Sequence, residues 1–197
     1  MVSQIFVQTL QEACQHLPIP LSNDLFLGLE QHWQLVKQWN ARTNLTAITD
    51  DNEAAWLHYR DSLEALPLLP KGPIIDIGSG AGFPGLVLAI VEPHRPVTLL
   101  EPRQKRASFL TVAAARLGLK YVKVVCDRVN HAPMPCFHAA LSRATFSTLA
   151  ELHQCLAWLL PGGSFIAFRS TPSGDKHTTL HAYTLKGEKR FLEMWRR

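Results

Sequence analysis

Little in this 197-residue chain points to a metal site, a disulfide framework or a membrane. Its four cysteines, Cys14, Cys126, Cys136 and Cys155, lie far apart with no C-x-x-C pair, and no histidine stands at zinc-ligand spacing. Reduced, structural thiols and no metal are therefore expected. The longest apolar run, LVLAIV, is too short to span a bilayer, and MVSQIFVQTLQEACQHL lacks a charged leader with an apolar block and a small-residue cleavage site. A soluble cytoplasmic protein is the expectation. The nine histidines form neither H-x-H nor H-E-x-x-H, and no His-Asp pair or paired carboxylates stand out, so general-base and nucleophile constellations are missing too. Charge is modest, at net +4, which permits a polyanionic partner such as RNA without requiring one.

What is present divides near residue 70. Up to there the apolar residues recur at helical spacing: Val2, Ile5, Phe6, Leu10, Ala13 and Leu17, then Leu25, Leu29, Trp33, Val36 and Trp39, then Trp56, Tyr59, Leu63 and Leu66. Ser22 or Asn23 caps the second helix and Asp50 or Asp51 starts the third, with the polar connector WNARTNLTAITD between them. From residue 72, apolar runs at 73–77, 97–101, 122–127, 138–144 and 164–170 alternate with helical stretches at 84–92, 104–119 and 147–160. This alternation predicts an α/β fold with a mostly parallel sheet. Two last strands, HTTLHAYTL and KRFLEMW, flank a tight turn and read as an antiparallel hairpin. The expected organisation is an N-terminal helical extension, 1–70, on a core of 71–197, with the whole making one compact domain.

Residues 76–85, DIGSGAGFPG, follow the first strand and open a helix, the context in which a glycine-rich loop holds a nucleotide. Gly80, Gly82 and Gly85 fit the dinucleotide spacing, while Gly78, Gly80 and Gly82 form an overlapping G-x-G-x-G behind Asp76. Pro84 suits the first turn of the helix that follows. Glu101, closing the second strand, can accept hydrogen bonds from both hydroxyls of a ribose and so indicates an adenosine-type ligand without choosing between nicotinamide and S-adenosylmethionine. Three features choose the latter. Asp76 can anchor the loop or attract a cationic amino-acid moiety, Asp127 closes the third strand within reach of an adenine, and the chain ends in a hairpin instead of a second nucleotide-binding half.

The stretches WNARTNLTAI, HYRDS, DIGSGAGFPGLVLAI, LLEPRQKRASFL and SRA resemble the bacterial small-subunit ribosomal RNA guanine-N7 methyltransferases, the glucose-inhibited division protein B family. The resemblance runs from about Trp39 to Phe168 and more weakly beyond. It implies a Rossmann-like class I S-adenosylmethionine-dependent methyltransferase fold and transfer of a methyl group to N7 of a guanine in 16S rRNA. Because N7 carries a lone pair and no proton, catalysis should be positional, with Arg143 nearest the reaction. The resemblance also implies that Gly78 and Phe83 line the cofactor, that Val129 and Asn130 meet its adenine, and that Arg143 contacts it. RNA contacts are expected from Arg42, His58, Arg60, Arg103, Lys105, Arg106 and Arg169, with the small-subunit RNA or ribosomal particle as partner of a monomer.

This chain departs from the family pattern at two places. In Leu57-His58-Tyr59-Arg60-Asp61-Ser62 the histidine is kept but the arginine is displaced, and Phe168-Arg169-Ser170 stands where Leu-Lys-Gly is usual. The segment after the fifth strand is also short. Pro135-Cys136 precedes the fourth strand and so lacks the placement of a cytosine-5 methyltransferase nucleophile. An S-adenosylmethionine enzyme with another substrate, or a non-catalytic binding relative, are the alternatives, with a nicotinamide oxidoreductase a distant third.

Overall fold

The first three helices each start on a side-chain cap. Ser3 accepts from the Phe6 amide at the start of α1 (Gln4–Cys14), Ser22 from Leu25 at α2 (Asn23–Thr43), and Asp50 from Glu53 at α3 (Asp51–Ala54). The chain then widens into a π-helical segment, Ala55–Arg60, before α4 (Asp61–Leu63) and a 3-10 turn, Leu66–Leu68. The wider turn changes which residues face inward. His58, Tyr59, Arg60, Asp61, Ser62 and Leu63 are all buried, whereas Trp56, expected on the apolar stripe, is only half-buried. The computed structural model describes residues 3–18, 22–128, 136–143 and 149–197.

The remaining elements are β1 (Ile74–Ile77), α5 (Gly85–Val91), β2 (Val97–Leu100), α6 (Gln104–Arg116), β3 (Val122–Val125), β4 (Phe137–Arg143), α7 (Leu149–Cys155), β5 (Leu159–Arg169), β6 (Thr179–Leu185) and β7 (Glu188–Arg196). They build a seven-stranded sheet in the order β3-β2-β1-β4-β5-β7-β6. All pairings from β3 through β5 are parallel, and β7 runs antiparallel to both β5 and β6. Sequence and structure thus agree on a mostly parallel sheet with a C-terminal hairpin. The hairpin turns on Lys186 and Gly187, both at positive φ, which is the backbone a two-residue connection between twisted strands demands. One element differs. Pro161, Gly162 and Gly163 lie inside β5 and not ahead of it, where the register against β4 shifts between Phe137 and Ala139.

Strand alternation sends Ile74 and Ile75 to opposite faces, each with its own apolar cluster. On one face Phe6, Leu29, Trp33 and Tyr59 of the N-terminal helices pack in the same cluster as Ile74, Leu86, Val87, Leu99 and Phe109. On the other, Ile75 and Ile77 pack with Leu100, Trp158, Phe165 and Trp195. Strand order reverses between β1 and β4, so the crevice beyond their carboxyl ends is where an α/β sheet of this kind holds ligands. Among the described residues, no helix is long and apolar enough to cross a membrane.

Candidate active site

The loop after β1 is held from two sides. The amides of Gly78 and Ser79 donate to the Leu100 carbonyl at 2.8 and 3.1 Å, and Gly82 and Phe83 donate to the Ser79 carbonyl. Both acids singled out in the sequence are part of this frame. Asp76 is fully buried beneath the loop, where its Oδ2 accepts from the Gly85 amide at 2.9 Å and its Oδ1 has no partner among the described residues. Burial raises its pKa to about 6 against the opposing Gly85 hydrogen bond. Glu101 accepts from the Gly80 amide and the Arg103 amide, each at 2.9 Å, and so ties the loop to the start of α6.

Three glycines of this loop do different jobs. A Cβ on Gly85 would lie 2.4 Å from Leu99 Cδ2 and 2.7 Å from Asp76 Oδ2, and one on Gly82 would lie 2.6 Å from Leu86 Cδ1. A Cβ on Gly80 would meet nothing nearer than 3.8 Å. We therefore expect Gly85→Ala to lose about 3 kcal/mol or more, as overpacking of a closed core does. Gly80→Ala should cost only about 1 kcal/mol, for its left-handed backbone, while placing a methyl group in the open space above the loop. Urea unfolding of the two variants checks this. Equal losses would show that Gly80 too is a packing glycine.

That open space is a cavity of about 350 Å³ lined by Gly78, Gly80, Phe83, Glu101, Arg103 and Arg106, among others. A second cavity of about 560 Å³ adjoins it, formed by the π-helical segment, the ends of β4 and β5, and the hairpin. His58 and Arg143 line both. Among the described residues, these two side chains are what the linings share, and they form a common wall. Arg143 donates from Nη1 to the Leu57 carbonyl at 2.9 Å and to Asp61 Oδ2 at 3.3 Å, and its Nη2 lies 3.1 Å from His58 Nδ1. Its guanidinium also stands 5.2 Å over the Phe83 ring, on which His58 stacks at 4.4 Å.

This geometry fixes the histidine tautomer. An arginine only donates, so His58 Nδ1 is the acceptor and Nε2 carries the proton, which it donates to Thr46 Oγ1 at 2.8 Å. Burial, reinforced by the positive charge of Arg143, lowers the His58 pKa to about 3, so the ring is neutral. His32 is fixed the same way. Its Nε2–H donates to the loop carbonyl of Ala81 at 3.0 Å, leaving Nδ1 to accept from the Tyr59 hydroxyl at 2.9 Å.

Comparison with known proteins agrees with this architecture. The putative methyltransferase yhhF of Escherichia coli superposes with a TM-score of 0.54 at 17% identity, covering 68% of this chain and 80% of that one. At such identity the likeness shows the fold alone. The model of the family described as GidB, rRNA small subunit methyltransferase G, matches residues 27–194. The chain belongs to this family. Proteins named ribosomal RNA small subunit methyltransferase G are 35% identical over 177 residues in Hydrogenovibrio crunogenus, covering 87% of this chain and 80% of that protein. In Methylobacillus flagellatus the identity is 40% over 144 residues, covering 73% and 70%.

Set on this family fold, the residues expected from sequence scatter less than their numbers suggest. Gly78, Gly80, Phe83, Glu101, Arg103, Arg106, His58 and Arg143 converge on the first cavity, and Arg169 lines the second. Gly82 supports the loop from below. Asp76 is a correction: it anchors the loop and does not line the cavity, because strand alternation buries it under α5. Asp127 is exposed and also outside the lining, and Val129 and Asn130 lie outside the described residues. Arg60 is the second correction. The π turn swings it inward, where it donates to the Ala13 carbonyl and pairs with Glu64, out of reach of any RNA. Arg42 and Lys105 are exposed but line neither cavity. Residues missed by sequence reasoning are Thr46, Asp61 and Tyr183, while Arg190 belongs to a C-terminal basic patch, Lys186, Lys189, Arg190, Arg196 and Arg197, that the sequence shows without placing it at the site. Thr46 and Asp61 sit inside the quoted connector and HYRDS stretch, so only their individual roles were hidden.

Proposed function

We propose that this chain is a small-subunit ribosomal RNA methyltransferase that holds S-adenosylmethionine in the first cavity and the acceptor base, N7 of a guanine, in the second. One observation carries the reading: among the described residues the two adjoining cavities share the side chains of His58 and Arg143, which brings an occupant of one beside an occupant of the other. The residues present fit the cofactor. The cavity floor is glycine backbone with open space above Gly80, and each Glu101 oxygen keeps a lone pair for a ribose hydroxyl beside the amide it already accepts. When bound, S-adenosylmethionine supplies a methyl group on a sulfonium, which an in-line lone pair attacks without a general base.

The chain's own residues then position and shield. Glu101 and the loop amides hold the nucleoside end, and Phe83, His58 and Arg143 make a stacked partition that keeps water from the reacting centre. Neutral His58 orients Arg143 and offers no charge to a phosphate. Among the described residues, the cations of the second cavity are Arg143, Arg169 and Arg190. Arg169 pairs with the buried carboxylate of Glu193 at 3.2 Å, while Nε of Arg190 is buried without a partner among the described residues. Such groups suit an RNA backbone. The packing of Phe6, Trp33 and Tyr59 with the core supports reading residues 1–70 as an extension of 71–197 within one domain.

Calorimetry should detect S-adenosylmethionine and S-adenosylhomocysteine and give no heat with NAD. Small-subunit RNA incubated with the protein and labelled S-adenosylmethionine should gain one methyl group, located by mass mapping on a guanine. Binding without transfer to any small-subunit RNA or particle would instead support a non-catalytic relative.

A further inference from the structure

A guanine that is methylated on N7 cannot be read in the commonest way. Arginine usually recognises guanine through O6 and N7 together, but a donor placed on N7 ties up the lone pair that must attack. Recognition has to come from the opposite edge, where guanine presents two parallel donors, N1–H and the 2-amino group. That edge needs an acceptor with two oxygens in one plane.

The second cavity contains one. Among the described residues that line it, Asp61 is the single carboxylate, set among Arg143, Arg169, Arg190 and otherwise neutral side chains. Its orientation is fixed from both sides: the Tyr183 hydroxyl of β6 donates to Oδ1 at 2.6 Å and Arg143 Nη1 to Oδ2 at 3.3 Å. Each oxygen accepts one hydrogen bond from these partners and keeps capacity for another. Asp61 also adjoins the wall shared with the first cavity, through Arg143. Resting on the reading of this cavity as the acceptor site, we propose that Asp61 selects guanine by accepting hydrogen bonds from N1–H and the 2-amino group of the target base. Adenine presents a lone pair at N1 and only C–H at position 2, so the carboxylate repels it where it holds guanine. A base drawn out of its stack is commonly read on this edge.

As a mere counter-ion to Arg143, Asp61 would influence folding and overall rate without sensing the 2-amino group. The test separates the two roles. Small-subunit RNA is prepared with guanosine or inosine at the methylated nucleotide, inosine lacking only the 2-amino group. For the wild-type chain kcat/KM should fall about tenfold or more with inosine, the usual penalty for a lost hydrogen bond to a charged group. Asp61→Asn, which places a donor where an acceptor stood, should lower transfer to guanosine RNA and shrink the guanosine-to-inosine ratio to within about threefold. Equal transfer to both RNAs by the wild-type chain overturns the proposal, even if Asp61→Asn fails to fold. A ratio unchanged in a folded Asp61→Asn overturns it as well. Transfer to no small-subunit RNA at all would remove the parent reading and this proposal with it, an outcome distinct from methylation without discrimination.

Discussion

Arg143→Ala should lose methyl transfer by at least about a hundredfold and stability by about 3 kcal/mol. The first figure follows from position: the guanidinium stands over Phe83, holds His58 and borders both cavities, and a catalytic geometry loosened by an ångström commonly costs that much. The second follows from what remains. Asp61 is buried and would keep the Tyr183 hydroxyl while losing its cationic partner, and breaking a mostly buried pair costs more than the pair was worth. Asp61→Asn added to Arg143→Ala should restore part of the stability by removing the uncompensated charge, and none of the transfer. Both are measured on the folded fraction, by urea unfolding and single-turnover transfer. Full activity per folded Arg143→Ala molecule would make the arginine a structural ion pair only.

Between pH 7 and pH 5 we expect the protein to lose about 3 kcal/mol of stability through three buried groups. Burial lowers His32 to about 4 and His58 to about 3, so each stays neutral while the unfolded chain takes up a proton near its ordinary value of 6.5. The unfolded state then binds more protons, and stability falls with pH by about 2 kcal/mol for each histidine over that window. Asp76 acts in the opposite sense. Its folded pKa of about 6 exceeds the ordinary 3.8, so the folded state gains a proton first and recovers about 1 kcal/mol as pH drops to 5. The histidines win because there are two of them and both begin to titrate in the unfolded chain near 6.5, above the folded value of about 6 at which Asp76 begins to offset them. Urea unfolding at pH 7, 6 and 5 decides the matter, and constant or rising stability would contradict the burial of neutral imidazoles. Over pH 6.5 to 8.5, by contrast, single-turnover transfer at saturating S-adenosylmethionine and RNA should stay nearly flat. An acidic limb abolished in His58→Asn would make His58 an ionising participant.

The sheet and the glycine loop were legible in the sequence because their backbone signals are local, even where the ligand of the loop had two readings. Apolar runs alternating with amphipathic stretches fix a parallel sheet, and Gly78, Gly80 and Gly82 behind a strand, all at positive φ, fix a tight turn. What sequence periodicity did not reveal was the π-helical segment. Trp56, Tyr59, Leu63 and Leu66 fit an α-helical stripe, yet one wider turn buries His58 and Asp61 at the cavity wall and sends Arg60 into the core. No residue type marks such a turn. Asp76 illustrates a different limit: its type and spacing were read correctly as those of a loop acid, but strand alternation decides whether a carboxylate faces the ligand or props up the loop, and here it props. Tyr183 and Arg190 reach the site only because the antiparallel insertion of β7 brings β6 back beside α4, a pairing no local pattern encodes.

The shared wall of His58 and Arg143 also implies that the two cavities do not fill independently. An occupant of either must press on the same hydrogen-bonded pair, and whatever settles that pair for one ligand settles it for the other. By thermodynamic reciprocity the factor by which nucleoside binding changes RNA affinity equals the factor by which RNA changes nucleoside affinity. If both cavities fill as proposed, the partition ties the two affinities together without dictating which ligand arrives or leaves first.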